Sequence, residues 1–305
     1  MGPGRVCGEG GPGRVRALRG AGPRRVGASS GAADSDGAGR LRGADGVDGV
    51  QARGLEGGVD AGAEAGADGE AGGQEVIKEG DVAIKPKALT MEEAASIPLV
   101  GLTAWQALIE GAKLKRGQKV LIHAGSGGVG TFAIQLAEHV GAKVATTTST
   151  ANVELVRSLG ADIVIDYKKE DFVEVLRDYD VVLNSLDKVT LEKSLRVLKP
   201  GGQLISISGP PDPAFARSLG ASWVLRMLMG VLSYGITAKA KRHQAHYSFV
   251  FMRADGSQLT EITSLIDAGT IRPVVDRVFP FASTKEALAY VETGRAKGKV
   301  VVSLA

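Results

Sequence analysis

From residue 119 onward, apolar and polar positions follow two periods that alternate along the chain. Short apolar runs read as buried strands: Lys119-Val120-Leu121-Ile122, Lys143-Val144-Ala145-Thr146-Thr147, Ile163-Val164-Ile165, Asp180-Val181-Val182-Leu183, Gln203 to Ile207 and Tyr247 to Met252. Between them lie stretches with helical spacing: Val129 to Val140, Ala151 to Leu159, Phe172 to Arg177 and Leu191 to Leu198. The last of these is closed by Lys199-Pro200-Gly201-Gly202. Strand and helix in strict alternation predict right-handed crossovers, hence an α/β fold with a doubly wound, parallel, six-stranded sheet of Rossmann type.

The first strand runs into His123-Ala124-Gly125-Ser126-Gly127-Gly128-Val129-Gly130, and a helix follows at once. Gly125, Gly127 and Gly130 fit G-x-G-x-x-G, with Gly128 inside the turn. Glycines at this spacing let a backbone approach a pyrophosphate closely and aim a helix N-terminus at it. Alone the pattern is weak. Between a strand and a helix it is strong.

Upstream, Val82-Ala83-Ile84-Lys85-Pro86 alternates like a short strand. Thr90 followed by Glu93 predicts a capping box and a short helix. Ile97-Pro98 breaks it, and a second helix runs from Leu99 to Ala112. Downstream, a loop at Gly209 to Pro213 precedes an apolar helix from Leu219 to about Tyr234, followed by the basic Lys239-Ala240-Lys241-Arg242. That helix reads as packing or a lid in preference to one lying on a membrane surface, and it is too short to span. The tail predicts a helix from Gln258 to Ala268, a strand from Pro273 to Val278, a helix from Ser283 with a second capping box to Glu286, and a final strand at Lys299 to Val302.

Composition divides the chain. Residues 1–74 hold 23 of the 43 glycines and contain no Ile, Phe, Tyr, Trp, Lys, Thr or Asn. Such a block buries too little apolar surface to offset its ordering entropy and is expected to be disordered. Three origins compete: a targeting peptide, an arginine-rich nucleic-acid arm, and translation outside the native frame. The GC-rich codon classes favour the third. The net charge of +3 points to no nucleic-acid partner, and Cys7, the single cysteine, permits neither a disulfide framework nor a thiolate metal cluster. With no spanning run and no secretory signal, a cytoplasmic protein is expected.

Dinucleotide folds commonly carry an acid at the end of the second strand, which bonds a ribose 2′-hydroxyl and repels a 2′-phosphate. Here the stretch reads Thr147-Thr148-Ser149-Thr150-Ala151-Asn152, without an acid before Glu154, which favours NADP. His243 and His246 read as surface residues, and His123 as packed rather than catalytic.

Gly101-Leu102-Thr103-Ala104, the turn from Ala124 to Gly130, Leu159-Gly160-Ala161-Asp162 with Asp166-Tyr167, Lys199-Pro200-Gly201-Gly202 and Gly298-Lys299-Val300 occur in one order. Over residues 75–305 they resemble the zinc-independent medium-chain dehydrogenases/reductases, within them the NADPH quinone oxidoreductases and 2-alkenal reductases. Asn184-Ser185-Leu186 is similar to the enoyl-reductase modules of polyketide synthases. The resemblance implies that Ser126 to Val129 hold the pyrophosphate, that Thr148, Ser149 and Asn152 surround the 2′-phosphate, and that Tyr167 lies beside the adenosine. Leu186 and Ser208 would line the cofactor cleft, Phe249 and Phe251 would flank nicotinamide and substrate, and Thr103 would approach the nicotinamide. Many relatives carry Lys where Asn152 stands, which weakens the expected hold on a phosphate.

The implied reaction is hydride transfer from NADPH to an activated alkene or a quinone, on a small apolar carbonyl or quinone substrate, without metal. A homodimer is implied as well. The implied organisation is a remnant of a GroES-like catalytic domain at 75–110, a dinucleotide-binding domain at 111–252 and a return to the catalytic domain at 253–305. With residues 1–74 standing where that domain would begin, weak or absent turnover and aggregation are expected. The alternative is an NADPH-binding module without catalysis.

Overall fold

The computed structural model of the chain describes residues 78–304. The glycine-rich block at 1–74 and the start of order near Glu75 lie outside the described residues.

Six parallel strands form one sheet in the order β3-β2-β1-β4-β5-β6. They are β1 (Lys119–Ile122), β2 (Lys143–Thr148), β3 (Ile163–Asp166), β4 (Tyr179–Asn184), β5 (Leu198–Ser206) and β6 (His246–Phe249). The order reverses between β1 and β4, and a crevice for ligands opens there at the carboxyl ends of the strands.

Alternate residues of the strands feed two cores, as the period of two requires. Val120, Ile122, Val144, Val181, Leu183 and Ile205 pack on one face, against α2 (Pro98–Trp105), α3 (Gly128–Val140) and α9 (Gly256–Asp267). Leu121, Ala145, Ile165, Val182 and Leu204 pack on the other, with α5 (Phe172–Val175), α6 (Lys188–Ser194) and the end of α8 (Trp223–Arg242).

The capping box forms at α1 (Met91–Ala95): Thr90 Oγ1 accepts from Glu93 N, and Glu93 Oε2 accepts from Thr90 N. Pro98 ends that helix by starting the next, at a position where its missing N–H costs nothing. The helix then widens into a π segment at Gln106–Gly111. Gln106 lies there, its amide bonding both the backbone carbonyl and N–H of Arg253. Gln135 on α3 holds Arg272 in the same two-sided way. Two buried amides thus pin the tail onto the sheet domain.

Several local expectations differ from the fold. Val82 to Pro86 is not a strand; among the described residues no strand pairs with it, and Ile84 is exposed. Lys199-Pro200-Gly201-Gly202 does not end a helix but lies inside β5, where the β4–β5 register shifts between Tyr179 and Val181. The apolar helix expected from Leu219 starts at Trp223 as α8 and runs on through the basic segment to Arg242, and a separate helix not expected from the sequence, α7 (Pro213–Ser218), precedes it. Helix α4 (Val153–Ser158) is preceded by a separate 3-10 turn at Thr150–Asn152. At α10 (Thr284–Glu292) the Ser283 side chain caps nothing, because a 3-10 turn at Phe281–Ser283 enters the helix instead. The tail strands β7 (Val275–Pro280) and β8 (Lys299–Ser303) pair in parallel as a two-stranded sheet.

Candidate dinucleotide site

The strand register lines up the carboxyl edge. Thr148 pairs with Asp166, Asn184 with Ser206, and Ser206 with Phe249. On the β1 side, Ile122 is in register with both Thr146 and Leu183.

The glycine turn closes over this edge. Ala124 takes φ 52, and its carbonyl accepts from Gly127 N at 2.9 Å. Gly125 donates to Thr147 O at 2.9 Å, stitching the turn to β2. A Cβ on Gly125 would meet Thr146 Oγ1 at 2.0 Å, and one on Gly130 would meet Ala124 O at 2.3 Å. Both positions therefore admit only glycine in this backbone. Helix α3 starts at Gly128, and Thr131 N is bonded to Gly127 O, so the Gly128, Val129 and Gly130 amides have no intrahelical acceptor. They and the helix dipole make an anion site.

Beside the turn, the residues singled out for the 2′-position converge. Ser126 Oγ accepts from Thr148 Oγ1 and from Asn152 Nδ2, each at 3.1 Å, and Asn152 Nδ2 also reaches Ser149 Oγ at 3.3 Å. No carboxylate belongs to this cluster. Asp166 stands one strand over, bonded by Thr150 Oγ1 at 2.6 Å and paired with Lys169 at 3.4 Å. The Thr150 hydroxyl, then the Lys168 amide and Lys169, hold its carboxyl below the usual range despite burial.

Two buried acceptors lack partners among the described residues, Asn152 Oδ1 and Asn184 Oδ1. Both end strands or turns at the carboxyl edge, where a ribose or amide donor would satisfy them. The glycine cradle and these two oxygens fit a dinucleotide.

The other predicted residues sit on or just after several different elements. Tyr167 donates its backbone N–H to Thr148 O, with its ring exposed. Ser208 Oγ donates to Leu186 O at 2.6 Å, joining those two residues across the β4 and β5 ends. Thr103 is buried on α2, and its hydroxyl donates to Leu99 O at 2.6 Å within its own helix. Phe249 and Phe251 gather around Phe215 of α7, with ring centroids at 5.1 and 6.0 Å.

His123 is packed, as expected. Its Nδ1 lies 3.1 Å from Thr147 Oγ1, its Nε2 lies 2.9 Å from Ser194 Oγ, and its ring meets Phe172 edge-on. Burial lowers its pKa to about 4, outweighing the upward pull of Asp187. His243 and His246 are exposed.

Three further residues contribute, to which the sequence motifs assign no place in the site. Gly298 donates to Ser126 O at 2.8 Å and bridges Gly127, so the tail motif rests on the glycine turn. The Lys299 stem lies over Gly128. Asp212 caps α7 through Phe215 N and also accepts from Phe249 N, which sets the aromatic wall. Asp before Pro is a helix-start signal that could have found it.

A family model described as zinc-binding dehydrogenase matches residues 159–302. The NAD(P)H oxidoreductase RTN4IP1, mitochondrial, of Danio rerio is 39% identical over 243 residues, covering 75% of this chain and 61% of that protein. The NADPH-dependent alkenal/one oxidoreductase, chloroplastic, of Arabidopsis thaliana is 35% identical over 230 residues, covering 74% and 50%. Among solved structures, the quinone oxidoreductase from Coxiella burnetii superposes with TM-score 0.62 at 29% identity, over 72% of this chain and 63% of that one. An alcohol dehydrogenase superfamily protein from Novosphingobium aromaticivorans does so with TM-score 0.60 at 31% identity, over 73% and 67%.

The chain belongs to the zinc-binding dehydrogenase family, within the medium-chain dehydrogenases/reductases.

This dehydrogenase-family chain spans between half and two thirds of the length of those two curated relatives. Among its described residues, no group of three or more His, Cys, Asp or Glu is placed to hold a metal ion. No described helix is long and apolar enough to cross a membrane. The two relatives' names place them in mitochondria and chloroplasts, which lends no support to the cytoplasmic expectation.

Proposed function

We propose that the chain is an NADPH-dependent oxidoreductase that reduces the activated C=C of an enone or alkenal, or a quinone. The observation that carries this reading is the acid-free cluster of Ser126, Thr148, Ser149 and Asn152 beside the glycine cradle. The names of the relatives support the reaction class.

In this reading the Ser126 to Gly130 backbone binds the pyrophosphate on the α3 N-terminus. The cluster's donors bind a 2′-phosphate without repulsion, and Tyr167 lies along the adenosine. Leu186, Ser208 and Thr103 line the nicotinamide end, and Phe249 and Phe251 exclude water from an apolar substrate. When bound, the cofactor supplies a hydride. Residues 78–110 and 253–304 serve as the part of a catalytic domain carried by this chain. The protein assembles as a homodimer, for which the outer strand β6, paired only with β5 among the described residues, supplies a free edge.

The test titrates the full chain with NADPH and NADH by fluorescence, then adds an α,β-unsaturated aldehyde, an α,β-unsaturated ketone and a benzoquinone in turn. NADPH bound more tightly than NADH and oxidised only slowly by one of the three is the expected result, the slow rate following from the partial catalytic domain. Binding without oxidation would make the chain a nucleotide-binding module. Absence of NADPH binding would overturn both readings.

A further inference from the structure

Helix α8 is 20 residues long, about 30 Å, yet it buries only Ser233, Ile236 and Ala240. Those three fall on one stripe in its second half, against the core that includes Leu204 and Ala245. The remainder is open. Trp223 and Tyr234 are each 72% exposed, and Met227, Leu228, Val231 and Leu232 are all above half. The packing expected from the sequence therefore accounts for one stripe and leaves a large apolar face to water. Soluble surfaces rarely carry such a contiguous face without a partner.

Charge says what the partner is. Between Asp212 and Asp255 the sequence has no acid and six Arg or Lys. Lys239 pairs with Glu192, and Arg253 with Glu110 and Asp255. Arg217, Arg226, Lys241 and Arg242 are exposed and make no ion pair among the described residues. An apolar face edged by free cations, with Trp and Tyr among its outer residues, matches a lipid interface, where the apolar part enters the acyl boundary and the cations meet headgroups.

Other occupants fit less well. A second copy would bring the same patch, hence more cations and no carboxylate to meet them. Residues 1–74 contain three Leu and no Ile, Phe, Tyr or Trp, so they offer few large side chains to cover six.

We propose that the outer face of α8 docks on an anionic lipid bilayer surface, lying in the interface without crossing it. The surface is continuous with the candidate site, since α7 packs on α8 and carries Phe215 against Phe249 and Phe251. The inference does not depend on catalysis.

The full chain is sedimented with phosphatidylcholine vesicles with and without roughly 30 mol % phosphatidylglycerol. Pelleting with the anionic vesicles alone, reversed by high salt, is expected. A blue shift of tryptophan emission lost in Trp223→Phe is expected as well. The pair Lys241→Gln with Arg242→Gln lies on an exposed turn and should fold normally while weakening binding about fivefold per cation removed. Leu228→Ser with Val231→Ser should abolish pelleting with an unchanged circular dichroism spectrum. Failure to bind anionic vesicles, or equal binding to neutral ones, would overturn the proposal. So would a dimer on sedimentation equilibrium that the Leu228→Ser, Val231→Ser pair dissociates, since a second copy would then own the face.

Discussion

Replacing Gly130 by Ala tests the cradle most directly. A Cβ built there lies 2.3 Å from Ala124 O, 2.7 Å from Gly125 Cα and 2.9 Å from Gly125 C. All three neighbours are backbone, in a turn whose Ala124 is already left-handed at φ 52. Restoring an ordinary contact requires the turn and the helix start to separate by about 1 Å, an overpacking strain of roughly 1–3 kcal/mol. Alanine's better helix propensity offsets less than about 1 kcal/mol of this. The expected loss is therefore roughly 1–2 kcal/mol, or a fall in Tm of about 2–8 °C for a unit of this size. Movement of the α3 N-terminus should also weaken NADPH binding by about tenfold or more, since one charge-assisted hydrogen bond already carries that much. Gly128→Ala is the control. Its Cβ meets the Lys299 stem at 2.9 Å and Val100 Cγ1 at 3.2 Å, and the nearest backbone atom is at 3.4 Å, so a swing of Lys299 and a small shift of Val100 relieve it. Thermal unfolding and NADPH fluorescence titration read both variants. Equal Tm and equal affinity in Gly130→Ala and the parent chain would refute the reasoning.

Other expectations follow from the same geometry. Burial sets the pKa of His123 at about 4 against an ordinary 6.5, so the unfolded chain binds its proton more readily between those values. Its contribution to stability is complete above pH 6.5 and is lost as pH falls toward 4, about 3 kcal/mol in all; urea midpoints across that range should fall with acid more steeply in the parent than in His123→Gln. Asn152→Lys places a cation beside the Ser126 hydroxyl and should raise the NADPH-to-NADH affinity ratio about tenfold, read by paired titrations; an unchanged ratio would move the 2′-phosphate elsewhere. Thr90→Ala removes one half of the capping box at α1 and should cost about 1 kcal/mol, seen as a Tm lower by about 2–4 °C with NADPH affinity unchanged.

Local chemistry determined much of this protein in advance. The alternation of buried strands with helical stretches has only one economical closure, so the parallel sheet and its strand edges were legible wherever the apolar runs were long. The glycine turn was legible because its spacing meets a steric requirement that no other residue satisfies, as the Gly125 and Gly130 contacts make plain. The absence of an acid after β2 was legible because it is a matter of residue type alone. Elements that need a distant partner were not. Val82 to Pro86 alternates like a strand, but a strand exists only where another lies beside it. Lys199 to Gly202 reads as a helix stop, yet it lies inside β5 as the irregular stretch between Leu198 and Gln203, both of which pair with β4. Gly298 and Lys299 sit 168 or more residues from the glycine turn they touch, and no periodicity carries that contact. Helix α8 is apolar in the sequence whether its face is covered or bare. Only the packing of Ser233, Ile236 and Ala240 decided which stripe is used and which faces outward. Propensity and sterics act over a few residues and are written locally; burial and long-range pairing depend on what the rest of the chain brings alongside, so only the tertiary structure could decide them.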